Sequence, residues 1–164
     1  MPSIPFARVL MAGLVVGVLD GLFAVGVCVT AGTGCVPIRV FWGIAAGVIG
    51  RDAALAGGLT TAALGVGLHL LIATIWATLY FLAYQRWAAV RRLVESPYGV
   101  IKVAVLFGFL VYLVMDFVVL PLSHARQTPI TSRFFWIILL GHPVFAAAPI
   151  VLLVRSRAPG NARA

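Results

Sequence analysis

Four long apolar runs, each closed by charge, glycine or proline, set the pattern of this chain. The longest extends from Asp52 to Tyr84, DAALAGGLTTAALGVGLHLLIATIWATLYFLAY, and holds one histidine, His69, near its middle. A helix over about 53–84, capped by the Asp52 side chain, would reach about 45 to 50 Å at 1.5 Å per residue, enough to cross a hydrocarbon core of roughly 30 Å. The other runs cover about 9–29, 97–120 (stopped by Pro121) and 134–154, the last with Pro143 and Pro149 inside it. Runs of this length read as spanning helices, because a helix satisfies every backbone polar group within lipid. The segment PIRVFWGIAAGVIG, about 37–50, is too short to span and predicts an interfacial or re-entrant helix with Trp42 at headgroup level. Residues 155–164 read as an unstructured tail. The expected fold is all-α: an integral membrane four-helix bundle with one additional short interfacial or re-entrant helix, forming a single membrane domain over 1–164.

Spacing within the runs predicts which faces pack. Gly13, Gly17 and Gly21 recur every fourth position, and Asp20 and Ala24 fall in the same roughly 100° arc, so the face carrying the carboxylate is the packing face. In the second span Gly58, Thr61, Ala62, Gly65, His69, Trp76 and Tyr80 share an arc of about 100°, which turns His69 inward and makes Gly58 and Gly65 packing glycines. Ser96 followed by Pro97 predicts the start of the third helix, with a cap and a first-turn proline. Asp116 lies about one turn before the end of that helix, and Tyr112 shares a face with Phe109. In the fourth span His142 precedes Pro143, and each proline there removes a helix hydrogen bond and frees a carbonyl. Arg8 ahead of the first run imitates a secretory leader, but Asp20 interrupts the run and no small-x-small site precedes a polar start, so it reads as a retained span.

Composition agrees with the pattern. Of 164 residues 63% are hydrophobic and 10% charged, with mean hydropathy +1.12, whereas soluble domains carry about a quarter charged residues. The net charge of +8 does not come from a basic stripe interleaved with aromatics, so no nucleic-acid partner is expected. The cations stand at the ends of the apolar runs and read as topology signals. With four spans, Arg8, Arg86, Arg91, Arg92, Lys102, Arg155, Arg157 and Arg163 share one side, against Arg39, Arg51, Arg126 and Arg133 on the other. The more basic side is cytoplasmic, which places both termini inside a bacterial inner membrane. Cys28 and Cys35, the only cysteines, then face the periplasm, where a disulfide is possible. The alternative is that Cys28 merely serves as a small apolar residue at the helix end.

The segments GGLTTAALGVGLHLLIA, RDAALAGG, GVLDG and VYLVMDFVVLPLS together resemble a group of small four-span bacterial inner-membrane proteins of unknown function. The resemblance implies the four-helix arrangement and the inner membrane, and it implies no activity. Members of that group often carry Asn where this chain has Asp116.

Ionisable side chains in hydrocarbon cost about 2.5 to 3.5 kcal/mol each on insertion scales, so they are the candidate functional residues. Asp20, His69 and His142 lie near mid-depth and Asp116 nearer one end. They are expected to form a buried polar cluster, with Asp20 and His69 within about 3.5 Å or one water of each other and His142 joining them. Three readings follow. One is a structural or accessory membrane component in which the cluster holds the spans in register. Another is proton-coupled or small-solute transport by a homo-oligomer or a larger membrane complex, since four short spans leave little room for a pore in one subunit. The third is a b-type haem with His69 and His142 as axial ligands. G-x-S-x-G, H-E-x-x-H, a phosphate loop and carboxylates at catalytic spacing are all missing from the sequence, so no catalytic residue or metal ligand other than the haem pair is assigned and an enzyme is not the expected class. Beyond such an assembly, the partner implied is the lipid bilayer.

Overall fold

Each long apolar run is helical in the computed structural model, which describes residues 6–31 and 34–155. In chain order the elements are α1 (Phe6–Thr30), α2 (Ile38–Ile49), α3 (Arg51–Ala56), α4 (Gly58–Arg86), α5 (Ala88–Glu95), α6 (Gly99–Val114), α7 (Arg133–His142) and α8 (Ala148–Val154). A π turn, Met115–Val119, prolongs α6, and a second, Pro143–Ala147, joins α7 to α8. Four helical stretches are long and apolar enough to cross a membrane: α1, α4, α6 with its π turn, and α7 through α8, of 25, 29, 21 and 22 residues. Among the described residues there is no strand. The tail expected to be unstructured lies, from residue 156 onward, outside the described residues.

Several local expectations are corrected. The helix expected over 53–84 is broken at its start, where Gly57 ends α3 and Gly58 opens α4 with φ 56°, a left-handed value that glycine adopts without penalty. Gly58 is therefore a breaking glycine rather than a packing one, and a Cβ placed on it would meet open space. Its carbonyl accepts from Trp42 Nε1 at 2.8 Å, so the break is tied to α2. Asp52 does not cap: it sits in the first turn of α3, which has no side-chain cap. Ser96 closes α5 instead of opening α6, its hydroxyl donating to Leu93 O at 2.7 Å. Between Pro97 and Gly99, Tyr98 turns the chain with φ 57° before α6 begins. The polar link before Ser96 is itself the helix α5. At α7 a true cap does form, Ser132 Oγ accepting from Phe134 N–H at 3.2 Å.

Packing follows the rule for helices in lipid, with small residues inward and large aliphatics outward. On α1, Gly13 lies against Thr74, Gly17 against Leu70 and Ala73, and Gly21 against His69, so α1 and α4 run antiparallel with their backbones close together. The opposite face of α1 presents Leu10, Leu14, Val18 and Leu22 outward, and that of α4 presents Leu71, Ile75, Leu79 and Leu82. Gly65 lets the Phe41 backbone of α2 lie directly on α4, and Gly108 of α6 does the same for Pro143. Phe23 covers Gly141 and stacks on Phe145 with ring centroids 4.4 Å apart.

The two ends of the bundle differ. At the α5 end Val9, Tyr80, Tyr84, Val94, Val103 and Val154 form a closed core, with Trp76 and Phe107 packed against it. At the α2 end local ties add to the packing of α2 on α4. Cys28 and Cys35 are joined in a disulfide, Cα atoms 5.4 Å apart, which links the end of α1 to the approach to α2. Arg133 donates to the Ala31 carbonyl. The His124 N–H donates to Gly47 O at 3.1 Å, folding the loop after α6 back onto α2.

Two glycines two residues apart provide a matched test of this packing. Gly65→Ala forces a methyl against the Phe41 backbone and is expected to cost about 1 to 3 kcal/mol. Gly67→Ala meets nothing within 4 Å and is expected to leave stability unchanged or to raise it by up to about 1 kcal/mol. Unfolding in mixed micelles with increasing dodecyl sulfate reads both. For the cysteines, thiol labelling of denatured, unreduced protein is expected to find no free thiol, and labelling after reduction two.

Candidate functional site

The open half of the bundle contains a cleft of about 1090 Å³, walled by α2, α4, α6 and the loop after α6. Its floor is the top of the closed core, where Val16, Ala73, Trp76, Ala146 and Ile150 reach it. Each of the four polar residues singled out in the sequence lines this cleft. They arrive from different helices: Asp20 from α1, His69 from α4, Asp116 from the π turn after α6, and His142 from the end of α7.

Asp20 and His69 are brought together by the small residues beneath them. Because Gly17 and Gly21 leave no side chain between α1 and α4, the imidazole reaches the α1 backbone, and Nε2 lies 3.0 Å from Gly17 O. A carbonyl only accepts, so this contact places the ring proton on Nε2 and leaves Nδ1 as an acceptor. The same Nε2 is 3.8 Å from Asp20 Oδ2, both side chains being about 15% exposed. That is close enough for an ion contact but beyond a hydrogen bond, so the direct bond expected between them is replaced by one to the backbone. Asp20 Oδ1 is buried without a partner.

His142 belongs to a second group. Its Nδ1 lies 2.8 Å from Ile138 O, one turn back, and its ring meets Tyr112 edge-on with centroids 5.1 Å apart. By the same reasoning Nε2 is left as the free acceptor. Tyr112 stands one helical turn before Asp116, which is 2% exposed and has Oδ2 buried without a partner. The backbone carbonyl of Asp116 accepts from Gln127 Nε2 at 2.8 Å, so the loop after α6 is pinned to the π turn that presents the carboxylate. Proline explains the second π turn, since Pro143 has no N–H to continue the α-helical ladder of α7. Single π turns within helices recur at functional sites, and here one carries Asp116 and the other begins immediately after His142.

The structure thus gathers all four residues around one cleft as two groups, Asp20 with His69 and Tyr112 with Asp116 and His142. Each group holds a buried carboxylate oxygen with nothing in the protein to accept from, and buried polar atoms are normally satisfied by protein, water or ligand. Chemically the cleft offers acceptors at both carboxylates and at two imidazole nitrogens, within otherwise apolar walls. Among the described residues no three His, Cys, Asp or Glu side chains converge as a metal site. The sequence reading missed three residues at the cleft: Arg39, Arg51 and Arg126 also line it. They read as topology signals because nothing in the local pattern shows that α2 and the loop after α6 fold over the same opening. The signal that could have found them is the count itself, four cations at the less basic end of the bundle.

No family model matches the chain, and neither does any curated protein or solved structure, so what supports a functional reading is the geometry of the cleft.

Proposed function

We propose that this multi-pass membrane protein, seated in a bacterial inner membrane with both termini cytoplasmic, admits a small hydrogen-bonding solute to its cleft and exchanges protons with it through Asp20 and His69. One observation carries the reading: a single open cleft collects both buried, unpartnered carboxylate oxygens and both imidazoles of the spans. A spanning bundle that needed polar groups only as internal glue would pair them with each other. At 3.8 Å, a water or a solute group between carboxylate and imidazole completes a proton path, and a histidine titrates near neutral pH in water. The cleft rests on the closed aromatic core around Tyr80, Tyr84 and Phe107, so one subunit offers access from one side. Passage across the membrane therefore calls for a homo-oligomer or a larger membrane complex, and bound solute alone does not.

A second reading, an accessory component with a structural knot, is favoured by the His69 bond to Gly17 O, which staples α1 to α4. Interhelical bonds of this kind average about 0.6 kcal/mol in membranes, so the knot would specify register more than supply stability. Haem b on His69 and His142 would require His69 to give up its Gly17 partner, since Nε2 is already engaged. The fit is therefore poor with the rings as they stand, and no step is derived through the group.

Purified protein in liposomes with an imposed pH gradient and an internal pH dye separates these readings. Assembled across the bilayer as a homo-oligomer, the protein is expected to dissipate the gradient faster than empty liposomes do, falling to that background in Asp20→Asn; absence of wild-type flux favours the structural knot. Visible absorption of the same preparation is expected to show no Soret band. A Soret band lost in His69→Ala or His142→Ala would establish the haem reading instead.

A further inference from the structure

We propose that the mouth of the cleft binds an anionic phospholipid, its headgroup held at Arg51 and Arg126 with Arg39 further along the rim, and an acyl chain lying against the aliphatic side chains of α2 and α3, which leaves Asp20 and His69 to the solute. Of the four basic residues at the α2 end, Arg133 is committed to the Ala31 carbonyl. Arg39, Arg51 and Arg126 line the cleft, are exposed, and have no hydrogen-bond or ion-pair partner among the described residues. The one charge contact formed among the described residues is His69 with Asp20. Three unpartnered guanidinium groups around one opening set up a positive field, and the guanidinium fork matches phosphate oxygens geometrically.

The position of these arginines argues for lipid rather than for a soluble anion. Topology does not account for them, because they lie at the end of the bundle with fewer cations. Gly47 of α2 sits against Ser123 and Ala125, which brings the loop bearing Arg126 to within one helical turn of the chain leading to Arg51. Immediately below, the walls are aliphatic: Val40, Ile44, Leu55, Leu68 and Val119. A volume of about 1090 Å³ slightly exceeds the range of small-molecule pockets, roughly 300 to 1,000 Å³, and leaves room for a chain beyond a headgroup. α2 itself, 12 residues and about 18 Å long, is too short to cross, and Trp42, anchored to Gly58 O, is a side chain suited to headgroup level. A basic rim on an apolar cleft between spans is the arrangement that takes anionic lipid headgroups.

Native mass spectrometry of the full chain in mild detergent, with phosphatidylglycerol and phosphatidylcholine of equal acyl length at equal concentration, tests the proposal. Phosphatidylglycerol adducts are expected to dominate. Removing rim charge in Arg51→Gln/Arg126→Gln is expected to weaken them about fivefold per arginine, while Arg39→Gln, at the far end of α2, weakens them less. Arg86→Gln/Arg92→Gln removes the same charge at the opposite end of the bundle and is expected to leave them unchanged. Gly43→Phe, placed on α2 where a Cβ meets nothing within 4 Å, fills the cleft and is expected to reduce adducts without altering charge. Equal retention of both lipids, equal loss in the Arg86/Arg92 variant, or complete displacement by inorganic phosphate would overturn the proposal, the last by assigning the rim to a free anion. Asp20→Asn is expected to keep the lipid, so a failed flux assay and a failed lipid assay are distinguishable.

Discussion

Between two helices in lipid there is little to gain from hiding apolar side chains, because the surrounding tails are as apolar as leucine; α1 is held to α4 by the nearness of their backbones. Gly13, Gly17 and Gly21 give that nearness, and the contacts they make with Thr74, Leu70 and His69 fix the antiparallel register. Everything polar in the first half of the site follows from it. Only at this separation can an imidazole on α4 reach a main-chain carbonyl on α1, and with the imidazole so engaged Asp20 Oδ2 is left at 3.8 Å from it and Oδ1 without a partner. A bulkier residue at Gly17 would push the helices apart and release the histidine, the carboxylate and the cleft wall together.

The second half depends on a different constraint, the asymmetry between the two ends. Where α5 caps the bundle, Tyr80, Tyr84, Val94 and Val103 fill the space among α1, α4, α6 and α8 completely. Where α2 crosses, the space beside it is left partly open, although α2 itself lies on α4 at Gly65, buries Ala45 and Ala46, and is tied further by hydrogen bonds from Trp42 and His124.

The four spans were legible because hydrophobicity over twenty residues is an unambiguous signal, and the inward faces of α1 and α4 were legible because glycine and alanine recur at helical spacing. The helical wheel that puts Gly58 on the packing face assumes an unbroken helix, and the pair Gly57–Gly58 breaks it. The separation of His142 from His69 was hidden as well, since depth along a helix says nothing of which neighbour a side chain will face; the Tyr112 ring claimed it. Arg39, Arg51 and Arg126 were visible as cations and invisible as a group, because the contact that assembles them, Gly47 against the loop after α6, joins residues more than seventy positions apart.

The π turn at Met115–Val119 has a consequence for the evolution and engineering of the chain. A π turn is one residue wider than the α-helical turn it replaces, and one residue advances the phase of a helix by about 100°. The direction in which Asp116 faces is thus set by residue count as much as by residue type. Shortening α6 by a single position ahead of Met115 would relax the turn to ordinary helix while rotating the carboxylate away from the cleft, with the composition of the span scarcely changed. Chains of similar hydropathy that differ by one residue here would share the membrane architecture and lack the site.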